Sequence, residues 1–291
     1  MESIKPFLRS VYFRGTRGYR SRAVRRLALD GHAPMVVPVF HRIADDNAND
    51  WTTSTDDFRE SIQWLKEHFD LISLDEMQRR IDSSFNGRPC ATITFDDGYA
   101  VNCDYALPLL LDEGVPCTYF ITADPVLNGS PFAHDTAMGN KFPPNTIEEL
   151  RQFAAAGIDI GAHTRTHADL ADVDDIHRLV DEVVTARNDL ENALGAPIRY
   201  FAFPFGEHHN LSRAAFRLAR EAGYAGVCSA YGGYNFPGDD PFHIQRRCVD
   251  GKAILLKNWA LYDPLHLRRI DRFEYQPDGT SPGLAVSEAV A

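Results

Sequence analysis

From residue 34 onwards, short apolar segments alternate with amphipathic segments, and this alternation is the strongest constraint on the fold. The apolar segments are typical of buried strands, and the amphipathic segments are typical of helices with one buried face. The predicted strands are residues 35–40, 71–72, 91–95, 117–122, 158–161, 199–203 and 224–229. Because strands that alternate with helices form a parallel sheet covered by helices, we predict an α/β fold.

The predicted helices carry start and stop signals. Ser54 precedes an amphipathic stretch that runs to residue 69, and Ser73 and Glu76 have the spacing of a capping box. Further helices are predicted at residues 105–111, 146–157, 174–194 and 211–222. The polar stretch 124–144, rich in proline and glycine, is predicted to be a long loop over one face of the sheet.

Chemically useful side chains follow two of the predicted strands. Asp96 and Asp97 come directly after the strand at 91–95, and Gly98 then lets the backbone turn. His163 and His167 follow the strand at 158–161, with a spacing that lets both imidazoles reach one metal ion. One carboxylate and two imidazoles make an open metal site, and the other carboxylate is then available as a base. The pattern alone does not say which aspartate has which role.

Three motifs make the chain resemble the polysaccharide deacetylases, the carbohydrate esterase family with the NodB homology domain. They read TFDDG at 94–98, HTRTH at 163–167 and RYFAFPFG at 199–206. The resemblance extends from about residue 36 to about residue 249 and is greatest to bacterial exopolysaccharide and poly-N-acetylglucosamine deacetylases, which share the Phe40–His41 pair and the form of the third motif. It implies a distorted (β/α) barrel, usually with fewer than eight strands, whose active site lies at the C-terminal ends of the strands.

The resemblance also implies a role for most of the motif residues. Asp97, His163 and His167 would bind a divalent metal, most simply Zn²⁺, although the same ligands suit Co²⁺, Ni²⁺ or Mn²⁺. Asp96 would be the general base that takes a proton from water. The backbone N–H of Phe205 would help to bind the oxyanion. Substrate contacts are predicted for Pro204 and Tyr99, and weaker ones for Phe132, His134, Asp135 and Tyr231.

Two family residues have no direct counterpart. Ala202 occupies the position at which many members carry the arginine that holds the catalytic aspartate, so we predict that Arg246 provides this cation for Asp96. The family's Leu-x-His motif, which carries the general acid, has no clear match. His41, at the end of the first predicted strand, is our candidate acid, and His266 is the alternative.

The first 30 residues have a charge opposite to that of the rest of the chain. They contain eight basic and two acidic residues, a net charge of +6, so the other 261 residues carry −17 of the total −11. An acidic body argues against nucleic acid as a partner. Residues 1–30 are either a solvated basic arm or a peripheral contact with an anionic membrane. Because neither a signal-peptide core nor an apolar span is evident, we expect a cytoplasmic location.

The predicted organisation is therefore a basic N-terminal extension (1–33), a deacetylase domain (34–255) and a C-terminal extension (256–291) with a frayed end. The five cysteines form no CxxC pair and are expected to be free thiols, mostly buried. We expect a metal-dependent hydrolase that removes N-acetyl groups from an amino-sugar polymer or its precursor. An O-acetyl esterase and a catalytically impaired carbohydrate-binding relative remain as alternatives.

Overall fold

The computed structural model describes residues 4–263 and 271–275. Its strands are β1 (Met35–Val36), β2 (Pro38–Phe40), β3 (Arg42–Ile43), β4 (Thr52–Thr53), β5 (Asp70–Leu71), β6 (Cys90–Ala91), β7 (Ile93–Phe95), β8 (Cys117–Ile121), β9 (Asp159–Ala162), β10 (Tyr200–Ala202), β11 (Gly226–Ser229), β12 (His243–Gln245) and β13 (Arg247–Cys248). Its helices are α1 (Ile4–Leu29), α2 (Thr55–His68), α3 (Leu74–Asp82), α4 (Ala106–Asp112), α5 (Ala123–Asn128), α6 (Ala133–Ala137), α7 (Ile147–Ala156), α8 (Ile176–Val180), α9 (Ala186–Leu194), α10 (Arg213–Glu221) and α11 (Ala253–Ala260).

A parallel eight-stranded sheet, in the order β12-β11-β10-β9-β8-β7-β2-β13, forms the centre of the fold. Its two edge strands are consecutive in the chain, because only Arg246 separates β12 from β13. One short segment therefore pairs with β11 on one side and with β2 on the other, and the sheet is nearly closed into a barrel. The predicted distorted (β/α) barrel is confirmed, but its sheet has eight strands, two of which come from this one closing segment.

Two of the predicted strands are each divided between two sheets. Segment 35–40 forms β1 and β2, and segment 91–95 forms β6 and β7. β1, β6 and β5 make a separate three-stranded sheet, while β2 and β7 enter the barrel. At the break, the Thr92 hydroxyl donates to the carbonyl of Ile72, a local bond that lies outside the barrel ladder. A continuous apolar pattern cannot reveal such a change of partner strand, because both halves are equally buried.

Each predicted helical range contains a helix in the structure, but the details differ in two places. Ser54 and Ser73 cap α2 and α3, each accepting a hydrogen bond from the backbone N–H three residues later. The predicted loop 124–144 is wrong, since it contains α6 and most of α5; Gly129, with φ of 64°, ends α5 in the left-handed conformation that glycine favours. The predicted helix 174–194 contains a π-helical segment, Asp181–Thr185, between α8 and α9.

The basic N-terminal segment is helical and packs on the opposite end of the chain. Arg20 of α1 is 1% exposed and donates to Asn258 Oδ1 at 2.9 Å and to the backbone carbonyls of Asn258, Leu261 and Tyr262. These carbonyls lie at and just beyond the C-terminus of α11, where unsatisfied acceptors favour a cation. α11 itself crosses residue 255, the predicted end of the deacetylase domain. The domain boundaries remain predictions.

Several sequence predictions concern membranes, thiols or the end of the chain. Within the described residues, no helix combines the length and apolar character needed to cross a bilayer. All five cysteines are free, as predicted; Cys90, Cys117 and Cys228 are buried, Cys103 is half-buried and Cys248 is exposed. His266 and the predicted frayed end, from residue 276, lie outside the described residues.

Candidate active site

Asp96 and Asp97 lie at the C-terminal end of β7, and both carboxylates are buried. The backbone N–H of Asp96 still continues the β2–β7 ladder by donating to Phe40 O at 2.9 Å. Asp97 then leaves the sheet with a φ of 73°, which turns its side chain in another direction. As a result, two carboxylates that are adjacent in the chain have different main partners, although both lie near His163.

Asp96 forms a two-pronged ion pair with Arg246. Arg246 Nη1 donates to Asp96 Oδ1 at 2.7 Å and Nη2 donates to Oδ2 at 2.9 Å. The guanidinium is fully buried and is also fixed by Ser229 O and Thr94 Oγ1. Burial by itself would raise the pKa of Asp96, but the positive charge of Arg246, helped by His163, outweighs it and lowers the pKa to about 2. The predicted pairing of Arg246 with Asp96 is thus present, and Asp96 is ionised at neutral pH.

Asp97, His163 and His167 converge on one point. Asp97 Oδ1 lies 3.7 Å from His163 Nε2 and 3.3 Å from His167 Nε2, and this oxygen is buried without a hydrogen-bond partner. The three donor atoms all lie within 4.8 Å of one another. A buried carboxylate oxygen that has no donor is costly unless something cationic binds it, so the arrangement fits a divalent metal.

The protonation of the two imidazoles agrees with this. His163 Nδ1 lies 2.8 Å from the carbonyl of Ala202, which places the ring proton on Nδ1 and leaves the Nε2 lone pair facing Asp97. Burial lowers the pKa of His163, and it lowers that of His167 to about 3 despite the nearby carboxylate of Asp97. Both rings are therefore neutral at pH 7, which is the form that binds a metal.

Backbone strain is concentrated at this site. Of the five non-glycine residues with positive φ in the described part of the chain, four contribute to it. Such conformations cost about 1–3 kcal/mol each and persist where the surrounding structure enforces them, often at functional sites. The four residues are Asp97, Thr164, His167 and Phe205, with φ between 60° and 73°.

The segment between the two histidines is held by a residue that the sequence did not reveal. Glu182, in the π-helical segment, is buried and accepts from the backbone N–H groups of Arg165 and Thr166 at 3.0 and 2.9 Å and from the Thr166 hydroxyl at 2.6 Å. Thr164 Oγ1 accepts from His167 N at 3.0 Å, whereas the Thr166 hydroxyl bonds to the Glu182 side chain. π-Bulges commonly occur at functional sites, and this one turns Glu182 towards the loop.

His41 lies on the opposite side of Asp96 and Asp97 and has its own carboxylate partner. Its Nδ1 lies 2.6 Å from Asp250 Oδ2, and its backbone N–H donates to Asp250 Oδ1 at 3.1 Å. Burial alone would lower the pKa of His41, but the charge and hydrogen bond of Asp250 outweigh it and raise the pKa to about 9. Asp250 was not predicted, although it follows the end of β13 just as Asp96 follows β7.

These groups face a cavity of about 500 Å³. Besides His41, Asp96, Asp97 and His167, its lining consists of aromatic, apolar and acidic side chains from several loops, namely Trp51, His134, Ala137, Met138, Phe205, Glu207 and Cys248. Trp51 lies against His41, with ring centroids 5.6 Å apart. Of the residues assigned weaker substrate contacts, only His134 reaches the cavity wall.

Phe205 is placed as the sequence predicts, at the cavity wall. Its ring is 49% exposed and packs edge-on against His167, with centroids 4.9 Å apart. Its φ of 60° belongs to a tight turn in which Gly206 N donates to Pro204 O at 2.6 Å. No space exists for a side chain at Gly206, because a Cβ there would lie 2.7 Å from the backbone N of Ala230. Within the described residues, the Phe205 N–H has no acceptor.

The predicted substrate contacts of Tyr99 and Pro204 are wrong, because both side chains are buried. The Tyr99 ring is fully buried, and its hydroxyl donates to Asp135 Oδ2 at 2.7 Å and lies 3.0 Å from His134 Nε2. It therefore anchors α6 below the cavity and cannot stack on a sugar. Pro204 is buried as well and shapes the turn at Phe205. Phe132 and Asp135 are likewise buried, and Tyr231 accepts from Phe273 N at 3.2 Å, away from the cavity.

Comparison with known proteins identifies the domain. The family model described as polysaccharide deacetylase matches residues 85–227, which include both aspartates and both histidines of the site. Residues 85–227 are therefore identified as a polysaccharide deacetylase domain. The relative YxkH of Bacillus subtilis (strain 168), named as a polysaccharide deacetylase, is 22% identical over 194 residues, covering 66% of this chain. The match spans only 63% of that relative's own length.

Solved structures show the same fold. IcaB from Ammonifex degensii superposes with a TM-score of 0.65 at 21% identity, covering 79% of this chain and 97% of that one. The Streptococcus pyogenes deacetylase PplD, solved in complex with acetate, gives 0.64 at 18% identity, with 78% and 99% covered. A de-N-acetylase from Aggregatibacter actinomycetemcomitans gives 0.61 at 18% identity, with 75% and 95% covered. The predicted barrel of the polysaccharide deacetylase type is thereby confirmed.

The ion pair of Asp96 generates a prediction about stability and pH. Arg246→Gln leaves a buried carboxylate without its cation, so we expect a loss of about 3–5 kcal/mol in the free energy of unfolding at pH 7. In the wild type the pKa of Asp96 lies below its unfolded value, so the stabilisation is present above about pH 4 and is lost as the pH falls towards 2. The difference in the free energy of unfolding between the wild type and Arg246→Gln should therefore decrease as the pH falls from about 4 to 2, as measured by urea unfolding.

Arg213→Gln, an exposed change of the same type, should stay within about 0.5 kcal/mol of the wild type at every pH. The double variant Asp96→Leu with Arg246→Met removes both charges and should recover part of the lost stability. An Arg246→Gln deficit that did not vary with pH would show that the ion pair does not determine the protonation of Asp96.

Proposed function

We propose that this protein is a metal-dependent deacetylase that removes N-acetyl groups from an amino-sugar polysaccharide or its precursor, in exopolysaccharide or cell-envelope metabolism. The observation that carries the proposal is the division of labour between two adjacent carboxylates. Asp96 is neutralised by Arg246, whereas Asp97 faces two neutral imidazoles with a buried oxygen that has no donor. One carboxylate is thus arranged to take a proton and the other to bind a metal.

Asp97, His163 and His167 would hold the metal, most simply Zn²⁺, with Co²⁺, Ni²⁺ and Mn²⁺ compatible with the same donors. When bound, such an ion lowers the pKa of its water and polarises the acetyl carbonyl. Because the protein provides only three ligands, coordination positions remain open for the water and for the acetyl carbonyl oxygen. Two second-layer hydrogen bonds keep the ligands oriented in the absence of an ion: His163 Nδ1–H donates to Ala202 O, and His167 N–H donates to Thr164 Oγ1.

Proton transfer would be shared by the two sides of the site. Asp96, held ionised and fixed by Arg246, accepts the proton of the attacking water. His41, whose pKa Asp250 raises to about 9, is protonated at neutral pH and gives its proton to the departing sugar amine. The C–N bond of the acetamide breaks, and acetate and a free amine are released.

The negative charge that develops on the acetyl oxygen needs a hydrogen-bond donor. The N–H of Phe205 is the backbone group best suited to this role, because it lies in a strained turn and has no acceptor in the described chain. The exposed ring of Phe205, together with Trp51, gives the cavity two aromatic surfaces on which a sugar ring can stack.

The three solved structures named above support the choice of reaction, although their sequence identity to this chain is only 18–21%. One of them is named as a de-N-acetylase, and another was solved with acetate. The site itself favours an amide substrate, because a protonated His41 is of most use when the leaving group is a poor one, and an amine leaves with more difficulty than a sugar hydroxyl. The O-acetyl esterase therefore ranks second.

The proposal is tested by acetate release. The protein is stripped of metal, reconstituted in turn with Zn²⁺, Co²⁺, Ni²⁺ and Mn²⁺, and incubated with N-acetylglucosamine oligomers and with O-acetylated xylan. We expect acetate and new amines from the first substrate, and loss of both after chelation. If every reconstituted form bound the N-acetylated oligomers without releasing acetate, the carbohydrate-binding alternative would replace the enzyme.

The roles of the two aspartates give a sharper prediction. Asp97→Ala and His163→Ala should lose bound metal, because each removes one of three ligands. Asp96→Asn should keep its metal and lose turnover by about 10²- to 10⁴-fold, the usual contribution of a positioned base. Metal content and turnover are measured on the same preparations. Loss of metal from Asp96→Asn would mean that both carboxylates bind the ion.

The assignment of His41 is tested by the pH profile. Because Asp250 raises the pKa of His41, Asp250→Asn should lower it and move the alkaline limb of kcat/KM to lower pH. His41→Ala should remove this limb and reduce turnover about 10²- to 10⁴-fold. His266→Ala is the control and should leave the limb intact. A His41→Ala enzyme that retained the limb with near-normal turnover would assign the acid to another group.

A further inference from the structure

We propose that α1 is a docking surface for an anionic membrane. One face of this helix packs on α2 and α11, and the other faces solvent. The packed face is fixed by Arg20 at the end of α11, by Phe13 against Trp64 with ring centroids 6.3 Å apart, and by Tyr12, whose hydroxyl donates to Asp263 at 3.0 Å. These contacts hold the helix in one orientation, so its free face is also fixed.

The free face has an apolar end and a basic end. Phe7, Leu8 and Val11 are 66%, 58% and 53% exposed near the N-terminus of the helix. At about 100° per residue, Arg22 and Arg25 lie along the same side, opposite Arg20, and are exposed as well. A helix that presents large apolar side chains and arginines together to solvent is suited to the boundary between lipid headgroups and acyl chains.

The uneven distribution of charge along the chain favours an anionic lipid surface as the partner of the free face of α1. Residues 1–30 carry a net charge of +6 and the remaining 261 carry −17. An anionic bilayer therefore attracts the helix and repels the body, which leaves the free face of α1 as the surface that approaches. Nucleic acid would satisfy the arginines but not the three exposed apolar side chains. These side chains gain most from entering the hydrocarbon boundary.

The helix also borders a second cavity, which shares one lining residue with the catalytic cavity. The cavity between α1 and the barrel is lined by Arg9 and Cys248, and Cys248 also lines the catalytic cavity. The docking surface itself does not depend on the proposed activity, because binding is measured without substrate.

The test is cosedimentation of the full chain with vesicles of phosphatidylglycerol and phosphatidylcholine, compared with phosphatidylcholine alone, at increasing salt. We expect binding to the anionic vesicles that weakens with salt. Arg22→Glu with Arg25→Glu should reduce the partition coefficient about 30-fold or more, since each basic residue near an anionic surface contributes about 1 kcal/mol. Phe7→Ser, Leu8→Ser and Val11→Ser together should remove the binding that remains at high salt.

The matched control is Arg213→Glu with Arg217→Glu, the same charge change on exposed positions of α10, which should bind nearly as the wild type does. All substituted positions are exposed, and thermal unfolding confirms that each variant is folded. If both charge variants lost vesicle binding equally, the binding would depend only on the net charge of the protein, and the proposal would be overturned. So would equal binding to the two vesicle types, or a dimer in sedimentation velocity that only the α1 variants abolish.

Discussion

The buried ion pair between Asp96 and Arg246 is the interaction on which the rest of this structure depends. Asp96 follows β7 in the middle of the sheet, whereas Arg246 separates β12 from β13 at the seam. The guanidinium is fully buried, and either charge without the other would cost several kcal/mol. The chain can therefore bury both groups only when β13 lies beside β2 and the barrel is closed. Closure of the barrel and orientation of the proposed base are the same structural event.

The charges of the site explain why one carboxylate is left for a metal. Three buried carboxylates, those of Asp96, Asp97 and Asp250, surround the cavity. Arg246 neutralises the first and a protonated His41 neutralises the last. Asp97 Oδ1 faces His163 and His167, whose pKa values are lowered by burial, so neither imidazole places a permanent positive charge beside this oxygen. A divalent ion at this point would supply the missing positive charge and would satisfy the buried oxygen that has no donor.

The sequence predicted what depends on local pattern and missed what depends on distant partners. Burial periodicity indicates strands, and polar groups at their C-terminal ends converge in any parallel barrel, so Asp96, Asp97, His163 and His167 could be grouped from sequence. Glu182 could not be found in this way, because its role follows from a π-helical segment that no composition signals. The prediction for Tyr99 was wrong because it, too, depends on a distant partner. Its nearness in sequence to the aspartates suggested a substrate contact, but Asp135, from a segment predicted to be a loop, holds its hydroxyl inside the protein.

The closing segment of the barrel supplies a cation for Asp96, which in the commoner family pattern would come from the position of Ala202. Ala202 stands where many members carry the arginine, and its carbonyl here orients His163. The cation for Asp96 arrives instead from Arg246, and four residues later the same segment provides Asp250 for His41. Both proposed proton-transfer groups are thus completed by residues beyond 227, where the family match ends. What the reaction requires is a buried cation against one carboxylate and a buried anion against one imidazole. A barrel can provide these from any strand end that faces the cavity, because all its strand ends converge there.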